Sequence, residues 1–567
     1  MTASVSAGDF GSASWTGSAW ATPERNWVTG AEMSSWLFRK RIGTDPHLTG
    51  WLEVRLYSSG AVEVLPWIEN GYLLGTSPTS KQATFVFTLG GSTRFSQSID
   101  LPARCRTPLV SGTTVSHWLG ANHAVAPKHD RHYFQKTKVI QSWAEELNYD
   151  DWTAQIAYAE IAETYTPLQV GNHSPSMGMA GAHGSIGVQP VWDAIAVVSR
   201  GARAYRSLIF NGYGMGRYAM HYRDETTQRP LRFSQYPQLA MAQNSSFWPG
   251  DIKDVERITS PVTPVCLGTN PPWWAPSHHP SPGYMAYLVS GWCYLMEQMQ
   301  FAATVHYLAL PWSRQNEKGI IDSTALQTRA ASWMLRTLFQ AASATPDDDP
   351  LRPEIMAAVD NNIDFYHGRF VAQPNNPFGF VPNLDGAHIQ TWQHDFWVAA
   401  WGHGTSLQLG GDAIRRLRLK AFFDWTAQGT IGRFGGTTPT EWIYRDAIGQ
   451  PPNAAEGSGM GIGPSQNAAG VDFVGGTGPW LANWGAVYER FMGVPNPGVD
   501  GPARGGFYAT ADGFWGMIRI GLVAAVSNNA PGAAAAYARF IACGAEAALT
   551  TNARSQSVPQ YAVRPAD

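Results

Sequence analysis

Three short polar islands in this chain combine imidazole, phenol and guanidinium groups in ways that suit proton transfer beside a negative charge. The first is Gly171-Asn172-His173-Ser174, followed by Gly181-Ala182-His183-Gly184-Ser185. Histidines flanked by glycine on a loop are tethered bases, better placed for chemistry than for packing, although a loop histidine can equally bond nearby carbonyls. The second island is His221-Tyr222-Arg223-Asp224. It holds a base, a phenol, a fixed positive charge and a carboxylate, but adjacent residues do not share a face. An Arg–Asp surface pair with one useful neighbour is the plainer expectation. The third is Trp273-Trp274-Ala275-Pro276-Ser277-His278-His279-Pro280, with Tyr284 on the helix that follows. Two indoles there can stack on sugar rings while a histidine and a tyrosine reach the reacting carbon. A further candidate is Trp392-Gln393-His394-Asp395, with His403 on the same expected helix.

No metal site is expected, because HExxH is absent and no histidine pair has the i, i+4 spacing that puts two ligands on one helix face. Nor does a GxSxG elbow point to acyl hydrolysis. The four cysteines (Cys105, Cys266, Cys293, Cys543) form no CxxC pair. A Cys266–Cys293 disulfide is possible on the sequence, with buried free thiols the more ordinary outcome.

Composition sets the outer limits. At 567 residues, more than one domain is expected. Lys and Arg total 40 against 43 Asp and Glu, so no overall field gathers nucleic acid or anionic lipid. The 24 Trp, 21 Tyr and 24 Phe are more than core filling alone requires, and aromatic faces receive the C–H faces of sugars. No signal peptide and no membrane-spanning run is visible, so the expected extracellular or virion-associated location implies either a leader missing from this sequence or another route, such as release in a phage particle.

The elements that must hold the islands fall into two groups. Residues 1–30, rich in Ser, Gly and Trp, suggest a flexible arm, and 31–170 a β domain. Leu52, Val54 and Leu56 alternate with polar neighbours, Ser58-Ser59-Gly60 turns, Val62 and Val64 resume the period of two, and Phe85, Phe87 and Leu89 lead into Gly90-Gly91. After about residue 185 the period becomes helical. Helices are expected over 188–199, 203–213, 284–289, 292–307, 326–341, 356–370, 392–407, 413–427, 480–491, 514–526 and 531–549. Ser281 and Asp412 are the expected N-caps at 284 and 413. Long connections over 230–282 and 429–479 would carry function. Strands first and helices after argue for an α+β multidomain protein, its second part (171–567) an (α/α) toroid of about six helix pairs.

At His221-Tyr222-Arg223-Asp224, at His279-Pro280-Ser281-Pro282 running into 284–301, and at 329–342, the chain resembles the exo-rhamnogalacturonan-lyase-like proteins. Through 181–193 it is similar to phage-borne members of that group. The resemblance implies a β domain with an (α/α) toroid and β-elimination on an acidic, uronate-containing polysaccharide without a cofactor. That reaction needs a base for the C5 proton, an acid for the leaving oxygen and a cation for the carboxylate. His183, His221, Tyr222, His279 and Tyr284 are the candidates for proton transfer, with Arg223 near the carboxylate. Asn172, His173, Trp273, Trp274, His278, Trp392 and His394 are candidate binding residues. Asp193, Asp224 and Asp395 keep glycoside hydrolysis open, and the aromatics alone would serve a carbohydrate-binding or phage adhesion protein.

Overall fold

The computed structural model describes residues 1–126, 128–143, 161–173, 184–199, 201–241, 262–272, 274–309, 314, 318–323, 326–372, 378–381, 391–435, 514–542 and 559–566. Its first part is built of β1 (Ala3–Ala7), β2 (Ser12–Trp15), β3 (Arg25–Val28), β4 (Met33–Arg41), β5 (Thr49–Tyr57), β6 (Val62–Asn70), β7 (Lys81–Leu89), β8 (Ser92–Leu101), β9 (Cys105–Pro108) and β10 (His117–Leu119). One antiparallel sheet runs β2-β1-β7-β8. The other runs β10-β6-β5-β4-β3, with β9 also paired to β6. Gly90 and Gly91, at φ 62° and 80°, form the left-handed pair that a tight β7–β8 hairpin requires.

The period-two pattern explains what lies between the sheets. Val5, Phe85 and Phe87 from one sheet meet Leu52, Val54, Val64 and Ile68 from the other. The opposite face of β5 and β6 carries Trp51, Leu65 and Trp67 into a second core shared with the helices. These two strands are therefore buried on both faces.

The N-terminal arm expected over 1–30 is not an arm. Ala3, Val5 and Ala7 point inward, and β1 sits between β2 and β7 in full register with both. Small apolar residues at period two suffice for a strand when a neighbour supplies the hydrogen-bond ladder. The Ser/Gly-rich composition obscured that pattern.

The second part begins with α1 (Arg131–Lys136), capped by Asp130, whose carboxylate accepts the His132 and Tyr133 N–H groups. Then come β11 (Ser142–Trp143), α2 (Val191–Val198), α3 (Ala202–Gly214), α4 (Tyr284–Ser290), α5 (Cys293–Ala309), α6 (Thr328–Ala344), α7 (Arg352–Tyr366), α8 (Thr391–Ser406), α9 (Ala413–Gly435), α10 (Phe514–Ser527), α11 (Ala533–Ala542) and β12 (Val563–Arg564), which pairs with β11. The arrangement is α+β, an antiparallel sheet region followed by about ten helices. Helix α5 is buried along its whole length, and α5, α6, α8 and α10 pack in succession. Helices α7, α9 and α11 lie against them and keep exposed faces.

Some boundaries differ from expectation. Gly283, left-handed at φ 88°, precedes α4, while the Ser281 hydroxyl donates to Gln340 Oε1 at 2.6 Å instead of capping the helix. Helix α9 continues to Gly435, so Gly429 is helical and not the start of a loop. Asp412 does cap α9, accepting the Arg415 N–H at 2.8 Å. The expected helix at 480–491 lies outside the described residues.

Buried charges join the two parts. Arg223 donates to both Glu69 on β6 and Glu297 on α5, the latter at 2.7 and 3.2 Å, and its guanidinium lies 4.4 Å over Trp51. Arg106 on β9 donates to Glu297 at 3.0 Å and to the Tyr294 carbonyl at 2.5 Å. Burial opposes ionisation of Glu297, but Arg223 and Arg106 outweigh it and hold the carboxyl down to about 2. Glu53 on β5 adds a second tie, accepting the Cys293 N–H at 2.8 Å at the start of α5. Removing one partner from such a network leaves an uncompensated buried charge, at a cost of about 3–5 kcal/mol. Arg223→Ala is therefore expected to lower the urea midpoint by that much stability. An unchanged midpoint would show that the network does not hold the two parts together.

Candidate functional site

The second island lies in that network. His221 is fully buried, its Nδ1 3.0 Å from the Arg104 carbonyl and its Nε2 2.6 Å from Gln298 Oε1. Burial first, then the Arg106 charge, push the ring down to about 3. Tyr222 is buried under the Arg104 guanidinium, 4.9 Å from its ring. Asp224 does not pair with Arg223; it accepts the Thr226 and Thr227 N–H groups in a turn. The expected catalytic roles of His221, Tyr222 and Arg223 are thus corrected: all three are buried, and the His221 ring and Arg223 guanidinium bond groups of the fold.

The first island divides in the same way. Asn172 Oδ1 accepts the Ala162 N–H at 2.7 Å and the Asn211 amide at 2.9 Å, which shapes a loop. His173 is buried between Trp192 and Tyr218, at 5.4 and 5.9 Å, and burial pushes it down to about 3. His183 and Trp273 lie outside the described residues. On α8, His394 is tied to the Thr426 carbonyl at 2.9 Å and packs on Phe380 at 4.1 Å. Trp392 is buried beneath Arg329, 5.3 Å away. These are core contacts, not binding surfaces.

The third island does converge with other chemistry, but inside the protein. Trp274, only 1% exposed, stacks on His279 at 4.7 Å and donates its Nε1–H to His306 Nε2 at 2.8 Å. The expected sugar platform at Trp274 is corrected accordingly: the indole is core. His279 is tied by Nδ1 to the Ala275 backbone N–H at 2.7 Å, while His278 is partly exposed. Arg336 on α6 donates to the Gly187 carbonyl at 2.7 Å and to the His279 carbonyl at 3.3 Å. Around it stand Asp193 from α2, His306 from α5 and His403 from α8. Burial pushes the Asp193 carboxyl well up, against the pull of Arg336. Burial likewise lowers Arg336 to about 9, opposed by Asp193. His306 and His403 are each held at about 3 by burial and by the Arg336 charge.

Sequence reasoning singled out neither His306 nor Arg336. A signal existed: α5 lacks a charged stripe, so its polar groups have to be buried. Arg329 and Arg336 also lie two helical turns apart on one face of α6.

His403 is where this interior meets a cavity. Tyr284 packs edge-on against its ring at 5.8 Å and gives its own hydroxyl proton to the Val139 carbonyl at 3.1 Å. The Nε2 atom of His403 meets no hydrogen-bond partner among the described residues. The small cavity beside it, about 40 Å³, shares Lys138, Ser406, Ser527 and Asn528 with one of about 380 Å³. It shares Ser142, Arg564 and Ala566 with another of about 230 Å³. Common walls make the three one groove along the ends of α1, α8 and α10.

The groove is basic. Its described walls carry Lys136, Lys138, Arg416, Lys420 and Arg564, with serines and amides between them and no carboxylate. Part of that charge is already answered. Lys420 pairs with Asp424 at 2.6 Å, and Arg416 donates to the Gly410 carbonyl. Lys138, Gln408 and Asn529, at φ 61°, 53° and 54°, mark where α1, α8 and α10 end. Helix C-termini carry about −0.5 charge each, together about −1.5. Lys136, Lys138 and Arg416 stand outside the Lys420–Asp424 pair, so cations outnumber carboxylates in the described walls.

No protein family, curated protein or solved structure matches the chain.

The buried imidazoles set a pH dependence. His173, His221, His306, His394 and His403 all have folded values of about 3, against about 6.5 when unfolded. The unfolded chain therefore binds more protons below about 6.5, and stability falls as pH drops from there towards 3. Each such histidine contributes about 1.4 kcal/mol per pH unit within that window. Denaturant midpoints between pH 7.5 and 5 are expected to decrease steeply with acidification; a flat profile would show that these rings are protonated in the folded state.

Proposed function

We propose that this protein binds an acidic polysaccharide in the basic groove and cleaves it by β-elimination. The observation that carries the reading is the groove's lining: cations, hydroxyls and amides without a carboxylate among its described walls, with the largely buried His403 ring among the residues that border it. The cations suit uronate carboxylates, and the amides and hydroxyls suit sugar hydroxyls. In this reading, α5, α6, α8 and α10 are the inner helices of an (α/α) toroid, and lyases of the exo-rhamnogalacturonan type are the relevant likeness.

The chemistry assigned to the groove follows from what each group can do. Lys138 neutralises the uronate carboxylate and so acidifies the C5 proton. His403, neutral, accepts that proton at Nε2, which is buried in the free protein and must be uncovered as the substrate seats. The C5–H electrons form the C4=C5 double bond as the C4–O4 bond breaks, and the leaving oxygen is protonated from solvent or by Lys138. Paired carboxylates for hydrolysis are not found among the described walls of the groove.

A second reading, binding without cleavage, is favoured by one observation. A ring held at about 3 stays neutral but is a weak base.

A panel of acidic and neutral polysaccharides tests both. Cleavage is expected to leave unsaturated uronate ends, seen by the ultraviolet absorbance of the new double bond. His403→Gln should lower turnover roughly a hundredfold to ten-thousandfold. Lys138→Ala should weaken binding and reduce its salt dependence. Saturated reducing ends would overturn the lyase reading in favour of a hydrolase, and binding of acidic chains without new ends would leave an adhesin. Equal affinity for neutral chains would overturn the groove assignment itself.

A further inference from the structure

A second cavity, of about 300 Å³, lies on the other side of the protein's first core, between the edge of the larger sheet and α3. It falls at the lower end of small-molecule sites, roughly 300–1,000 Å³. Its wall includes Trp118 on β10 and Tyr205 on α3, both only partly buried. Strand alternation explains why Trp118 is there. His117 turns inward, with Nε2 2.8 Å from the Leu109 carbonyl and its ring on Phe87, so its neighbour faces out.

The indole is also held in place. Tyr57 stacks on it at 5.4 Å with the planes 24° apart, and His123 meets its edge at 5.5 Å. His123 is fixed in turn, its Nε2 2.9 Å from Ser59 Oγ. Around the aromatics the cavity is lined by Thr113, Thr114 and Asn122, the Asn122 Oδ1 already accepting the Ala124 N–H at 2.7 Å.

The charges in this wall are already engaged. Glu63 accepts the Tyr57 hydroxyl at 2.7 Å and the Ser116 hydroxyl at 2.5 Å, with Arg55 4.0 Å away. Arg206 lies 3.9 Å from Glu163. What remains for a ligand is one rigid aromatic surface, a second aromatic in the same wall, and neutral donors and acceptors. An uncharged ring with an apolar C–H face and a rim of hydroxyls meets that description, and an anion or a flat apolar ligand does not.

We propose that this cavity is a binding site for a neutral pyranose unit of a glycan, independent of the basic groove. It shares no described wall residue with the groove, so the failure of one assignment leaves the other standing.

The test uses the full chain and three uncharged probes: malto-, cello- and galacto-oligosaccharides. Titration calorimetry and ligand-observed saturation-transfer NMR should show binding of at least one, with Kd on the order of 0.1–1 mM. Trp118→Ala is expected to weaken it at least tenfold. Asn122→Ala, at an exposed position where the side chain bonds only the local turn at Ala124 among the described residues, should weaken it about threefold with at most a small change in melting temperature. It keeps the test decisive if Trp118→Ala fails to fold. Lys138→Ala should leave neutral-sugar binding unchanged. Absence of binding for all three probes would overturn the proposal, as would wild-type affinity in Asn122→Ala together with a folded Trp118→Ala.

Discussion

Two glutamates and two arginines buried between β6, β9, the segment after α3 and helix α5 constrain this molecule more than any other group of contacts. None of the four can stay charged in a low-dielectric interior alone. Glu297 is held ionised because Arg223 and Arg106 reach it together, with Arg25 3.7 Å away, and Arg223 is shared with Glu69. The sheets and the helices therefore have one mutual placement in which all these charges are satisfied. Burial of β5 and β6 on both faces follows from that docking, as does the use of Glu53 to receive the first N–H of α5. Hydrophobic area alone is indifferent to small slides of a sheet across helices, and a bidentate guanidinium is not.

The same burial decides the fate of the histidines. Imidazole is an effective acid–base group when water or substrate can reach it, and an inert hydrogen-bonding spacer when neither can. His221 and His394 are spacers, each with Nε2 tied to an oxygen within the fold. Around Arg336 the interior contains Asp193, its carboxyl pushed up by burial, and His306, its ring pushed down, a set with large shifts and little freedom. Strong perturbation of this kind is often read as a functional mark, but it arises equally from structural burial. His403 and His306 both border a cavity and each has one ring nitrogen without a hydrogen-bond partner among the described residues; what separates His403 is that its cavity adjoins the basic groove.

The groove and the Trp118 cavity show how one fold offers two kinds of polar surface. The groove forms where three helices end and cations gather near their carbonyls, so its field is positive. The Trp118 cavity forms at a sheet edge, where alternation turns an aromatic outward and neighbouring charges have already found each other. Different ligand chemistry follows from these origins, charged in one case and neutral in the other.

Much of the architecture was legible in the sequence, since strand and helix periods are local. The β5–β6 turn, the Gly90-Gly91 hairpin, the break at Gly291 and the helices at 202–214, 328–344 and 391–406 stand where the pattern put them. The strand at 3–7 was missed because its alternation is carried by alanines, which signal weakly. The polar islands were legible as chemistry but not as sites. Arg223 meets Glu69 from 154 positions away and Glu297 from 74, and nothing in the local sequence announces such partners. By itself the sequence determined which groups can move a proton, hold a charge or stack on a ring, and which local elements carry them. Only the tertiary structure decided which of those groups solvent can reach, because exposure and pairing depend on atoms brought from far along the chain.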